Sequence, residues 1–95
     1  MRWTWDAAKN RHNERRHRIG FALAALVFTD PLAATRPDAS AAEERWHTIG
    51  AVRGVLLLVV HTWPVPDATG EDVGRIISAR KATRHERQAY EEGQF

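Results

Sequence analysis

The stretch RIISARKATRHERQAY, residues 75–90, decides the fold because it changes from strand to helix within one segment. Its first part is apolar enough for a buried strand. Thr83 and Glu86 then form the T-x-x-E pattern of a capping box, in which two side chains satisfy amides that the first helical turn leaves unpaired. The segment therefore predicts a strand followed by a C-terminal helix, which runs to about Glu92 and stops at Gly93.

The rest of the chain completes an α+β pattern. RWTW alternates polar and aromatic residues, as a short strand does, and Asp6 is a suitable cap for a helix running to about His17. We further predict a second, apolar helix over 21–28, a loop over 29–41, and strands over 43–50, 54–63 and 73–80. The sequence thus predicts one domain, residues 1–95, of order β-α-α-β-β-β-α, with the helices packed on an antiparallel sheet.

The composition limits the chemistry and suggests a charged partner. The chain has no cysteine, which excludes disulfides and thiolate metal sites. Residues 1–18 carry six Lys/Arg against two acids, residues 19–74 three against seven, and residues 75–95 five against three. If the two basic ends meet in the fold, they make a cationic surface that attracts polyanions such as nucleic acid. The alternative is that these charges belong to solvated helix faces.

The apolar run 19–28 follows basic residues and therefore imitates a secretory signal. Eighteen residues precede it, however, including two tryptophans and two acids. It is also shorter than the roughly 20 residues that a membrane-spanning helix needs. We interpret the run as a buried helix and predict a cytoplasmic protein without a membrane anchor.

The cationic pair Arg80–Lys81 lies where strand gives way to helix, which suggests an anion site. An arginine side chain meets two phosphate oxygens with its planar fork, and a helix N-terminus also favours anions. Arg75 lies five residues earlier, so on a regular strand it faces the opposite side from Arg80 unless a bulge intervenes. The alternative is that the pair forms ion pairs with acids such as Glu43 or Glu44.

Other candidate residues lie on the last helix and on the predicted sheet. Arg84 and Arg87 are about one turn apart and suit the backbone of RNA, although they are equally ordinary surface charges. Tyr90 suits base stacking or proton donation, or simple packing. Histidine is the usual base at neutral pH, and His47 is placed on a strand where it can reach a site on the sheet surface.

The remaining histidines do not form a metal site. His61 closes the apolar strand and is better explained as a satisfied edge residue than as a catalyst. His12 and His17 are five residues apart, not the four that place two ligands on one helical face. We therefore predict neither a metal nor a cofactor.

Two motifs in this chain resemble the BrnT family of toxins. The opening WTWD with Lys9 and Asn13, and the ending RIISARKAT with Glu86, Arg87 and Tyr90, are similar to the two ends of that family's pattern. The chain differs from the pattern after the first helix, where Arg18, Gly20 and Ala22-Leu23 replace a glycine, a serine and an acidic pair. These replacements leave the second helix without its polar face.

The resemblance implies a RelE/ParE-like fold and the toxin of a type II toxin–antitoxin system. Such a toxin is a metal-independent endoribonuclease that cleaves RNA and inhibits translation. The implied partner is a BrnA-like ribbon-helix-helix antitoxin, which also binds operator DNA in a complex with two copies of each protein, and which we expect to cover the basic surface. The candidate catalytic residues are Arg80, Lys81, Arg75, His47 and Tyr90, with Arg84 and Arg87 binding RNA. The alternative is a non-enzymatic module that binds nucleic acid or a partner on the same fold.

Overall fold

Six strands and three α-helices make up the protein in a computed structural model, which describes residues 1–40 and 42–95. In chain order these are β1 (Arg2–Thr4), α1 (Ala7–His17), α2 (Phe21–Ala24), a 3-10 helix (Ala25–Thr29), β2 (Ala34–Pro37), β3 (Trp46–Val52), β4 (Val55–His61), β5 (Val65–Pro66), β6 (Asp72–Lys81) and α3 (Arg84–Glu91). The α+β class is confirmed, and the order has more strands than predicted.

The sheet is mixed, so the prediction of an antiparallel sheet is wrong. Its strand order is β1-β6-β4-β3-β2, with β5 beside the start of β6, and β1 runs parallel to β6 while the other pairs are antiparallel. Tertiary packing supports the parallel pair: Trp3 lies over Gly74, where an added Cβ would approach the indole ring to 2.3 Å. Local sequence carries no signal for a contact between residues so far apart in the chain.

Two predicted elements differ from the structure. The sequence predicts a loop over 29–41, of which residue 41 lies outside the described residues, but part of 29–40 forms β2, which pairs with β3 at the sheet edge. Its Pro37 is tolerated because an edge strand needs fewer amide donors. The predicted helix over 21–28 is a single α-helical turn that continues as the 3-10 helix. It buries Phe21, Ala24 and Val27 completely, and this three-residue spacing matches a 3-10 turn.

Helices cover the two faces of the sheet unequally. Against one face, α1, α2 and the 3-10 helix form the main core, whose largest buried side chains include Phe21, Val27, Val59 and Ile76. On the other face a smaller cluster of Ile49, Leu58 and Ala82 packs against Tyr90 of α3. No helix in the described part of the chain is long and apolar enough to cross a membrane.

A buried asparagine continues the sheet where β1 ends. The Asn13 side chain donates from Nδ2 to the carbonyl oxygens of Ile19 and Ala79, each at 2.8 Å, and its Oδ1 accepts from the Ala79 amide at 3.2 Å. One side-chain amide therefore satisfies both backbone groups of a β6 residue, as a neighbouring strand would. This contact fixes α1 against β6.

A buried carboxylate fixes α3 to the end of β6. Glu86 accepts hydrogen bonds from Arg80 Nη1 at 2.7 Å, Arg80 Nη2 at 2.9 Å and the Thr83 amide at 2.8 Å. The hydrogen bonds from Arg80, together with the Thr83 amide, lower the pKa of Glu86 to about 2. Thr83 Oγ1 in turn accepts from the Glu86 amide, so the predicted capping box is confirmed.

We predict that Asn13→Ala lowers the free energy of unfolding by about 3 kcal/mol, because it leaves buried backbone groups of Ile19 and Ala79 unpaired. Urea denaturation followed by circular dichroism measures this loss. His12→Ala, at an exposed position of the same helix, serves as the control. Equal stabilities for the two variants would show that the side-chain amide does not support the sheet.

We also predict that Glu86→Gln lowers the free energy of unfolding by about 2 kcal/mol at neutral pH. The variant should also lose less stability than the wild type when the pH is lowered. The pKa of Glu86 is about 2 in the folded protein against an ordinary value of 4.5, so its stabilisation is complete above pH 4.5 and is lost as the pH falls through 2. The difference in stability between the wild type and the variant should therefore narrow as the pH falls below 4.5 and disappear at about pH 2. Curves that stay parallel would contradict the prediction, and Glu91→Gln at an exposed position is the control.

Candidate functional site

A bulge in β6 turns its two arginines to the same side of the sheet. In the pairing with β4, Ser78 lies opposite Val60 and Ile76 lies opposite His61, so Ile77 has no partner. Ile76 and Ala79 both point into the main core, and therefore Arg75 and Arg80 both point to the α3 side. On a regular strand they were expected to face opposite sides; the bulge is the exception that brings them together.

The two arginines border a row of the sheet that lies outside the small cluster beneath α3. Tyr90 of α3 packs on the cluster that contains Ile49 and Leu58, while the next row on the same face contains His47, Val60 and Ser78. We call the surface formed by Arg75, Arg80, His47, Val60 and Ser78 the open face; none of these residues is fully buried. At about 3.3 Å per residue of a regular strand, the arginine Cα atoms are at most about 16 Å apart, a spacing that suits an extended polyanion.

Arg80 is fixed by an ion pair and still has an unpaired edge. It binds Glu86, not Glu43 or Glu44, through Nη1 and Nη2, and Nη1 also donates to the Lys81 carbonyl oxygen at 3.2 Å. These bonds use three of the five N–H donors of a guanidinium. Nε–H and the second Nη2–H lie on one edge and have no partner within the described residues. That edge can bind two oxygens of a phosphate group.

Lys81 is separated from Arg80. It pairs with Leu57, a residue of the main core, and so lies on the opposite face. Its side chain borders a hollow of about 410 Å³ beside the β3–β4 turn, together with Arg87 and Glu91. Arg84 is exposed in the first turn of α3. Lys81, Arg84 and Arg87 form no ion pair with any residue that the structure describes, so their charges are available to a ligand.

His47 lies on the open face, but it does not present an accessible base. Its Nε2 is 3.2 Å from Asp38 Oδ2, and 21% of the side chain is exposed. Hydrogen bonds from Ser40 and then from His47 lower the pKa of Asp38, so Asp38 is a carboxylate that accepts from Nε2–H. In the neutral ring the lone pair is then on Nδ1, which is buried and has no partner among the described residues.

Tyr90 joins two elements and does not reach the open face. Its hydroxyl donates to Asp30 Oδ2 at 2.6 Å. This hydrogen bond lowers the pKa of Asp30 and raises that of Tyr90. The contact ties α3 to the segment after the 3-10 helix, which agrees with the packing interpretation of Tyr90.

The other histidines and the acids offer no alternative centre. His61 is buried, with Nδ1 2.8 Å from the Thr62 carbonyl oxygen and Nε2 2.7 Å from Thr48 Oγ1, and burial lowers its pKa so that it stays neutral. The described residues contain no group of three or more His, Asp or Glu that could hold a metal ion.

Sequence reasoning missed Ser78 and the double role of Glu86. Ser78 faces the arginines only because of the bulge, for which the sequence gives no signal. The capping box identified Glu86, but its pairing with Arg80 was not anticipated. The sequence does contain a signal for this ion pair, because Arg80 and Glu86 are six residues apart on either side of the strand–helix junction.

Comparison with known families gives a match over most of the chain. A family described as "Ribonuclease toxin, BrnT, of type II toxin-antitoxin system" matches residues 5–86, a range that contains α1, the whole of β6 and the Arg80–Glu86 pair. No curated protein matches the chain. Because the match spans most of the sequence, this chain belongs to the BrnT family of ribonuclease toxins of type II toxin–antitoxin systems.

Proposed function

We propose that this chain is a metal-independent endoribonuclease whose open face holds the scissile phosphate of RNA, and that it inhibits translation in the cytoplasm. Membership of a ribonuclease toxin family supports the activity. The observation that carries the choice of site is the unpaired edge of Arg80, on the same side of the sheet as Arg75.

RNA supplies its own nucleophile, so the protein needs mainly to stabilise charge. The 2′-oxygen attacks phosphorus and gives up its proton, while the bond to the 5′-oxygen breaks and that oxygen gains a proton. Negative charge grows on the phosphoryl oxygens between these events, and fixed donors aimed at it lower the barrier. The hydrogen bond with Glu86 raises the pKa of Arg80, so its guanidinium stays charged while it is held in one orientation.

The proposed roles of the other candidates follow from their positions. Arg75 supplies a second cation on the open face, and Lys81, Arg84 and Arg87 bind phosphates away from the reaction. Tyr90 is assigned a structural role because its hydroxyl proton is held by Asp30. His47 is assigned the positioning of the 38–47 segment, because its remaining nitrogen is buried.

The antitoxin is proposed to be a BrnA-like ribbon-helix-helix protein that forms a complex with two copies of each chain and carries the operator-binding activity. A type II toxin has a protein antitoxin, which supports a protein partner in general. The RelE/ParE-like relationship is part of the same proposal. Its structural support is the small α+β domain with an incompletely covered sheet.

A binding module without catalysis is the second candidate function. It is favoured by one observation: the ring Nε2–H of His47 and the hydroxyl of Tyr90 are both bound to carboxylates. Such a module would bind RNA through the same arginines and leave it intact.

We predict that Arg75→Ala lowers kcat for RNA cleavage by about 100-fold, because it removes one charge from the phosphate site. Its stability should stay unchanged, since the Arg75 side chain is exposed and has no partner in the described ranges. Cleavage of a labelled RNA in excess EDTA measures the effect, with Arg16→Ala on the far side of the molecule as control. Arg80→Lys keeps the charge without the fork and should lose a similar factor.

Wild-type cleavage that requires a metal would contradict the metal-independent mechanism. Equal kcat values for RNA cleavage by Arg75→Ala and the wild type would show that the open face is not the catalytic site. RNA that binds to the wild-type chain and is never cut would favour the binding module.

We predict a different effect for Arg84→Ala and Arg87→Ala. Each should raise KM several-fold with kcat nearly unchanged, and should reduce the steepness with which binding weakens in salt, because one phosphate contact is lost. Steady-state kinetics over a series of salt concentrations separates the two constants. A fall in kcat with constant KM would instead place these side chains at the reacting phosphate.

A further inference from the structure

A second surface on this chain is an apolar groove with a cationic rim. It lies between the α1–α2 connection and the β3–β4 turn and encloses about 250 Å³. Its floor is apolar and consists of Ile19, Leu23, Val52, Val55 and Leu57. We call this surface the rim groove, and its rim consists of Arg18, Arg53 and Lys81.

Both rim arginines have a strained backbone. Arg18 has φ 61° and Arg53 has φ 52°, and no other non-glycine residue in the described ranges has positive φ. Left-handed backbone is unfavourable for residues with a Cβ, and glycine or asparagine is usual both after a helix and in a two-residue hairpin turn. Both turns carry arginine instead, and both arginines border the same groove. Strain of this kind concentrates at functional sites.

The chemistry of the rim groove selects a protein segment over RNA. None of its three cations forms an ion pair within the described residues, and no carboxylate lines the groove. Its floor offers apolar surface, which a phosphate backbone does not use, and contains no aromatic ring on which a base could stack. The complementary ligand is a segment with apolar side chains flanked by carboxylates.

We infer that the rim groove is the docking site for an acidic segment of the antitoxin that inserts apolar side chains between Arg18, Arg53 and Lys81. This inference rests on the proposed function, which supplies the partner. Lys81 borders both the rim groove and the hollow that contains Arg87. A segment bound in the groove therefore neutralises one of the cations assigned to RNA, which couples antitoxin binding to loss of RNA binding.

The test compares binding of the purified antitoxin, defined as the ribbon-helix-helix protein encoded by the reading frame adjacent to that of this chain, to variants of the full chain. The double variant Arg18→Gly/Arg53→Asn removes two rim charges and suits the left-handed backbone at both turns. We expect its Kd to rise at least about tenfold, while its Tm does not fall. This combination distinguishes a docking role from a structural one, which would lower Tm.

Leu23→Asp provides a second variant, because it places a negative charge on the apolar floor. Leu32→Asp is the control for the added charge, since Leu32 is an apolar residue that is 71% exposed and lies outside the groove. We expect Leu23→Asp to weaken antitoxin binding at least tenfold, and Leu32→Asp to leave it within twofold of the wild type.

Antitoxin affinities within twofold of the wild type for both groove variants overturn the inference, as does a chain that binds no such antitoxin. A higher KM for RNA with unchanged antitoxin affinity would assign the groove to RNA. Altered self-association with unchanged antitoxin affinity would assign it to a second copy of the chain. RNA cleavage by the wild type is scored separately, so a failure of the proposed activity does not affect the comparison of affinities.

Discussion

The hydrogen-bonded ion pair between Arg80 and Glu86 is the interaction on which the candidate site depends. It joins the last residues of β6 to the first turn of α3, and the same carboxylate completes the capping box by accepting from the Thr83 amide. Because a guanidinium has two edges that can form paired hydrogen bonds, the ion pair leaves one edge for a ligand. Structural fixation and anion binding are therefore compatible in one side chain.

A single extra residue in β6 determines whether a second arginine lies on the same face of the sheet as Arg80. Without the bulge at Ile77, Arg75 would lie on the core side of the sheet and Arg80 would be the only one of the two arginines on the open face. The bulge instead places both cations on the open face, and the alternation that follows it places Lys81 on the other side. The basic residues of the C-terminal segment thus serve two surfaces, the open face and the hollow with Arg87, which meet at the end of β6.

Much of the fold could be predicted because its signals are local. The caps at Asp6 and Thr83 and the apolar strands β4 and β6 follow from short stretches of sequence. The parallel pairing of β1 and the existence of β2 depend on contacts between distant residues, which periodicity does not report. The candidate site shows the same division. Arg80 was identified because it lies at the junction between a predicted strand and a predicted helix. The face of the sheet on which Arg75 lies depends instead on the bulge in β6, which arises in its pairing with β4.

The central claim is that Arg80 and Arg75 contact the phosphate of bound RNA while Arg80 remains paired with Glu86. The most direct measurement is NMR of the arginine Nε–Hε groups during titration with an RNA whose 2′-hydroxyls are methylated, so that it binds without being cut. The account predicts that the Nε–Hε signals of Arg80 and Arg75 shift together as RNA is added, and that Arg16 stays unchanged. Saturated binding with no shift at Arg80 would contradict it.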